Sequence, residues 1–439
     1  MRRLFTAFLI SSALTPLCHA IDLAQAYDLA LKNDADWAAT TSVYKADMIK
    51  EGQNYGALLP TLGLSASYGE NSFSPDSPSV LNPKVNYSGT QYGLQVKQPL
   101  YRADLWRDYQ RSKKSTTVTE ATYRQKQQEL VLKVSETYIN VLRAQETLST
   151  TQAEEAALKR QLEQAQKRFE VGLIAKTDVL EAQAQLDGAV ANRISAEVGV
   201  SGARETLVSI IGKDPGQLAA LRPDFKVTAP MPASADDWAD LAKAHNPQME
   251  AARMNQLVAE STLRAQRAGH LPQVDLVGSY SNTDNDVAKT SSLATRNGDS
   301  TSIAVELQWS LYAGGRTNNA ISQATYQSDA AREQVSAVER QLIAQARTAY
   351  LNASADSYRT SARLQAVKSN EAALAATKAG YDVGTRNIVD VLLAERNLYA
   401  ARRDHANAKY DYLINTLKLR AASGQLAVKD IQELNGWMQ

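Results

Sequence analysis

The chain carries one plan twice. Phe169-Glu170-Val171-Gly172, followed by Thr177-Asp178-Val179-Leu180, returns 212 residues later as Tyr381-Asp382-Val383-Gly384, followed by Val389-Asp390-Val391-Leu392. Leu59-Pro60 with Leu64 and Ser67-Tyr68 returns in the same register as Leu271-Pro272 with Leu276 and Ser279-Tyr280. Leu29-Ala30 returns as Leu241-Ala242, and Leu100-Tyr101 as Leu311-Tyr312 with the register shortened by one. Chance matches would scatter, so one offset held across half the chain indicates duplication. The repeats are placed at 21–212 and 236–424, each reading helix, strand, loop, strand, long helix, turn, long helix. Between them, residues 213–235 hold Pro215, Pro223, Pro230 and Pro232, the composition of a connector. Residues 425–439 are read as a C-terminal tail.

The strands have period two. Leu62, Leu64, Ala66 and Tyr68 alternate with Gly63, Ser65 and Ser67, and Tyr92, Leu94 and Val96 alternate with Gly93, Gln95 and Lys97. In the second repeat Val274, Leu276 and Tyr280 alternate with Gln273, Asp275 and Ser279. Ile303, Val305, Leu307 and Trp309 alternate with Ala304, Glu306, Gln308 and Ser310. One apolar and one polar face suits a strand between lipid and a wet lumen, although a soluble sandwich shows the same period. Roughly ten residues is the length of a membrane-spanning strand. Four such strands cannot close a barrel with an open lumen, and lipid does not tolerate open edges, so closure requires several chains. The Ser-, Pro-, Asn- and Gly-rich stretches 69–91 and 281–302 read as the loops joining paired strands.

Long helices make up much of the rest. Residues from about 104 to 168 and from about 316 to 379 contain no proline and are rich in Ala, Gln, Glu, Lys and Arg. Leu130, Val134, Tyr138, Val141 and Leu148 recur at helical spacing in the first, and Val335, Val338, Leu342 and Ala349 in the second. Some 64 residues of helix rise about 95 Å, so these rods must pack side by side as coiled coils or a helical barrel.

The first residues read as an export signal. Met1-Arg2-Arg3 is a basic start, Leu4 to Leu14 a mostly apolar run, and Cys18-His19-Ala20 places small residues before a cut at Ile21. Bulky Leu17 before Cys18 argues against a lipoprotein start. Cleavage removes the one cysteine, which suits an oxidising compartment. It also removes Arg2 and Arg3 and takes the formal charge from +1 to −1, leaving no basic excess for nucleic acid. No later run of 18 apolar residues offers a membrane helix, so entry into a membrane would have to be by a closed barrel.

No enzyme, cofactor or metal signature emerges. There is no phosphate-cradling glycine loop and no nucleophile elbow, and His245, His270 and His405 lack ligand spacing.

Gly380-Tyr381-Asp382-Val383-Gly384-Thr385-Arg386-Asn387-Ile388-Val389-Asp390-Val391-Leu392, followed by Ala408-Lys409-Tyr410-Asp411-Tyr412-Leu413-Ile414-Asn415, closely resembles the second long hairpin of the TolC family. Arg168 to Leu173 with Thr177-Asp178-Val179 resembles the first hairpin, and Gly269-His270-Leu271-Pro272 and Leu311 to Gly315 resemble the third-strand entry and fourth-strand exit. The resemblance implies an α+β membrane protein: a homotrimer with a twelve-stranded barrel, four strands per chain, in outer-membrane lipid, continued by a periplasmic α-helical coiled-coil barrel. It implies a periplasmic adaptor and an inner-membrane transporter as partners. The expected role is the export duct of a type I protein secretion system with an ABC transporter. A multidrug efflux duct is the alternative, and a structural surface coiled coil the rival from another class.

The resemblance also assigns residues. Gly172 and Gly384 sit in the hairpin turns, as turn glycines or as adaptor-docking points. Thr177, Asp178, Tyr381 and Arg386 match positions that link neighbouring hairpins at the periplasmic gate, while Thr177 or Asp178 could instead cap a helix. Asp390 matches one of two aspartates at the constriction, and the second position is Leu393 here, so three chains would give one ring of carboxylates instead of two.

Overall fold

The computed structural model describes residues 20–79, 84–286 and 297–438. The expected signal peptide at 1–20, all but Ala20, and the tips of both loops between paired strands lie outside the described residues. The chain divides into two compact units.

One unit, Thr41–Gln125 and Pro247–Gln341, contains the sheet. Strands β1 (Thr61–Phe73), β2 (Val85–Tyr101), β3 (Gln273–Asn285) and β4 (Gly298–Gln308) pair antiparallel in sequence order. The register sets Leu64 opposite Leu94, Leu94 opposite Tyr280, and Leu276 opposite Val305. Every apolar series of the sequence therefore falls on one face, and that face is open: Leu64 is 77% exposed and Ile303 80%. The other face is polar, with Lys97 2.9 Å from Asp275 and the Ser279 and Ser302 hydroxyls 2.8 Å apart. Among the described residues β1 and β4 each pair on one side only.

The strands run further than the expected loops at 69–91 and 281–302 allow. Pairing continues through Gly69–Gly89 to Phe73–Val85, and through Thr283–Gly298. Ladder hydrogen bonds carry polar residues as readily as apolar ones, so the strands outlast their alternation. In the same unit Tyr44 stacks on Tyr123 at 4.3 Å, and Arg124 meets Glu250 at 2.7 Å.

The other unit contains Lys126–Asn246 and Leu342–Gln439 together with the chain up to Thr40. Its helices are α1 (Leu23–Asn33), most of α3 (Ala103–Glu170), α4 (Lys176–Ile211), α5 (Ala235–His245), most of α7 (Arg316–Asp382), α8 (Ile388–Ala422) and α9 (Val428–Asn435); α2 (Ala35–Gly56) and α6 (Pro247–Arg267) fall chiefly or wholly in the sheet unit. The core gathers Leu23, Val134, Tyr138, Leu207, Ile211 and Leu417. The buried Tyr138 hydroxyl lies 2.9 Å from the carbonyl oxygens of Ile21 and Ala219, tying the segment just before α1 to the connector. The stretch read as a tail carries α9, held by Arg420 against Asp430 and Glu433.

The entry helix of each repeat is split, which periodicity did not reveal. The breaks fall at Asp34 (ψ 117°) and Asn246 (ψ 123°), equivalent positions of the two repeats. Asp34 accepts from the Trp37 amide at 2.8 Å, while Asn246 precedes Pro247 and donates to the Ala422 carbonyl at 2.9 Å.

Candidate functional site: the hairpin turns

Two helical hairpins end in matching turns, α3 into α4 and α7 into α8. Each helix closes on a glycine at positive φ, Gly172 at 75° and Gly384 at 82°. The next amide reaches back to an orphan carbonyl in both: Leu173 to Arg168 and Thr385 to Gly380, each 2.8 Å. A Cβ built on either glycine would meet nothing within 4 Å, so backbone conformation and not crowding requires glycine there.

The second helices start differently. α8 begins with a capping box: the Asp390 amide donates to Asn387 Oδ1 at 2.8 Å, and the Asn387 amide to Asp390 Oδ2 at 3.4 Å. At the equivalent place α4 has Ala175 as N-cap, without a side-chain bond. Thr177 and Asp178 therefore lie inside the first turn of α4 and do not cap it. Asp178 is half-buried and Thr177 exposed, and among the described residues neither side chain makes a bond.

Tyr381 is half-buried against the cluster of Leu158, Leu162, Ala182, Ile388 and Leu392, which draws on α3, α4 and α8. Arg168 stacks on its ring at 4.6 Å and reaches Asp382 at 3.3 Å. Arg386 is exposed and lies 3.8 Å from Asp390. The structure thus joins Arg386 with Asp390 and Tyr381 with Arg168. Among the described residues, no bond within one chain links Thr177 or Asp178 to Tyr381 or Arg386.

Sequence reasoning missed three participants. Asn387 was legible, because Asn-x-x-Asp before an apolar run is a capping pattern. Arg168 and Glu395 were not. Glu395 lies deep in α8 with 4% of its side chain exposed and meets Lys378 of α7 at 2.5 Å, while its Oε2 has no partner.

Burial also marks Glu154 on α3. Desolvation raises its carboxyl above the ordinary 4.5, and the Arg403 and Arg396 charges pull it partly back. Burial, helped by Lys409, lowers His405 below the ordinary imidazole value. No cluster among the described residues could hold a metal ion.

The profile of the family described as "Outer membrane efflux protein" matches residues 26–213 and 238–425, one match in each repeat. The chain is 36% identical to outer membrane protein TolC of Vibrio cholerae, over 100% of this chain and 99% of that one. It is 29% identical to alkaline protease secretion protein AprF of Pseudomonas aeruginosa, over 98% and 91%. The fold matches the crystal structure of the Campylobacter jejuni CmeC outer membrane channel with a TM-score of 0.80 at 18% identity, over 95% of this chain and 90% of that one. The protein is an outer-membrane protein extending into the periplasm, and it belongs to the outer membrane efflux protein family.

Proposed function

We propose that three copies of this chain form the outer-membrane duct of a type I protein secretion system, working with a periplasmic adaptor and an inner-membrane ABC transporter. The observation that carries the duct is the sheet. Its apolar face is open and among the described residues both its edge strands lack a partner, a state that lipid on one side and neighbouring copies at the edges would satisfy together. A purely structural coiled coil gives no reason for such a face. Twelve strands from three copies would make a channel-sized barrel. The hairpin turns are the gate of this duct, with Thr177, Asp178, Tyr381 and Arg386 linking neighbouring hairpins and Asp390 ringing the constriction. Gly172 and Gly384 present open backbone where an adaptor could dock.

The secretion assignment draws on likeness to AprF, named for alkaline protease secretion; the family description favours efflux as the second reading. Purified protein should form trimers by native mass spectrometry and give discrete conductance steps in planar bilayers. A folded monomeric barrel overturns the trimer. Deletion of the gene should stop export of a type I substrate while leaving sensitivity to toxic small molecules unchanged; the reverse result assigns it to efflux.

A further inference from the structure

The sheet follows the duplication to the residue. Moving β1 along by 212 residues and β2 by 211, the offsets of the repeat, turns its pairing into that of β3 with β4. Thr61–Lys97 becomes Gln273–Gln308, Leu64–Leu94 becomes Leu276–Val305, and Tyr68–Thr90 becomes Tyr280–Thr301. Every β3–β4 pair has such a counterpart, so β1 is equivalent to β3, and β2 to β4, in register as well as in sequence. The junction of β2 with β3 has no counterpart among the described residues. The strands that would form it, β4 and β1, are the two edges of the sheet.

β4 also stops short of its equivalent. β2 runs past its last β1 partner at Lys97 as far as Tyr101, and from Gln98 onward its pairs are with β3 alone. β4 ends at Gln308, the equivalent of Lys97. The residues that correspond to Gln98–Tyr101 are Trp309–Tyr312; they form no strand, and Leu311 is 79% and Tyr312 86% exposed. Leu100-Tyr101 and Leu311-Tyr312 are the same dipeptide at equivalent positions, in a strand where a partner lies alongside and out of one where none does. What β4 lacks is therefore a strand on its free side, to take up its unpaired amides and carbonyls.

We propose that a second copy of this chain supplies that strand: β4 of one copy pairs with β1 of the next in the register of β2 with β3, and β4 lengthens to Tyr312 as it does so. The repeat offsets convert Leu94–Tyr280 into Val305 opposite Tyr68, Gln95–Ser279 into Glu306 opposite Ser67, and Gln98–Leu276 into Trp309 opposite Leu64. This rests on the duct of three copies proposed above and adds the register of its seams. The side chains suit it. Val305 with Tyr68, Leu307 with Ala66 and Trp309 with Leu64 continue the apolar face across the seam, while Glu306 with Ser67 and Gln308 with Ser65 continue the polar one. A slip of one residue would set apolar side chains of one copy beside polar side chains of the next. A slip of two keeps the faces, so experiment has to separate it.

The test is disulfide trapping in the full-length protein, whose one cysteine, Cys18, lies in the expected signal peptide. Opposed residues of antiparallel strands have Cα atoms about 4.5–5.5 Å apart, within disulfide reach, whereas a partner two residues along lies roughly 7–8 Å away. Glu306→Cys with Ser67→Cys should give covalently linked trimers on a denaturing, non-reducing gel. Glu306→Cys with Ser65→Cys, or with Gly69→Cys, should not. Within one chain positions 67 and 306 are three strand spacings apart, about 14 Å, so a link joins copies. Native mass spectrometry of each variant reports assembly independently of the link. Intact trimers that link through position 65 or 69, or through none of the three, overturn the register and leave the duct standing; monomers overturn both. In trimers the amides of Trp309–Tyr312 should exchange hydrogen as slowly as those of Gln98, Leu100 and Tyr101. Fast exchange there overturns the lengthening of β4.

Discussion

Asp390 and Asn387 bond each other's backbone amides at the start of α8, so the carboxylate proposed for the constriction is also half of a helix cap. The equivalent start of α4, with Ala175, has no such box. Asp390 should therefore answer to two measurements. If it rings the constriction, the channel is cation-selective, a multivalent cation added from the periplasmic side blocks it, and Asp390→Ala abolishes the block. Leu393→Asp, one turn along and 45% exposed, should tighten it. Asn387→Ala removes the cap alone and should cost about 1 kcal/mol without abolishing block. Block that survives in Asp390→Ala means that the residue is a cap and nothing more.

Arg386→Ser with Tyr381→Phe should loosen the turns and raise basal conductance, measured by single-channel recording. Among the described residues the Arg386 side chain makes one ion pair, the exposed one with Asp390, worth at most about 1 kcal/mol, and the bond from its backbone amide to the Gly380 carbonyl survives the substitution, so its loss should hardly affect monomer stability. Conductance equal to the parent, with trimers intact, would remove both residues from the gate.

The Lys378–Glu395 pair pins α7 to α8 where almost no solvent reaches the carboxylate. Removing the lysine leaves the buried carboxylate without its cation, but 46% of the lysine side chain is exposed and solvent screens the pair, so Lys378→Met should destabilise by roughly 1–3 kcal/mol in denaturant unfolding. Lys378→Met with Glu395→Leu should recover most of that loss. A double variant no more stable than the single one would show that packing, not charge, sets the cost.

Glu154 gives a pH dependence of defined sign. Its folded-state pKa is raised, so the cost of ionising it in place is absent below the unfolded value near 4.5 and grows as pH rises through the folded value. Glu154→Gln should raise the thermal midpoint at pH 7 and make no difference at pH 4. A gain of equal size at both pH values would point to packing in place of ionisation.

What the sequence determined by itself was whatever is written in contiguous residues. The period-two runs at Leu62–Tyr68 and Ile303–Trp309 marked strands because alternation is local. The proline-free stretches marked α3 and α7 to within a few residues at each end, because helix hydrogen bonds span only four residues. The repeat located both turns, and Gly172 and Gly384 were legible because few residues other than glycine reverse a chain at positive φ. The gate and constriction residues came from likeness to a family, not from such local rules.

The tertiary structure alone decided how distant residues meet. Nothing local indicates that Leu94 faces Tyr280, that Arg168 covers Tyr381, or that Lys378 points at Glu395. Each of these depends on sheet register or on the rotational phase of one long helix against another. Helical phase accumulates over dozens of residues, so small departures from 3.6 residues per turn shift which side chains face a neighbour. The sequence could thus supply rods, strands and turns, while the Arg168–Tyr381 stack and the Lys378–Glu395 pair exist only where α3, α7 and α8 come together.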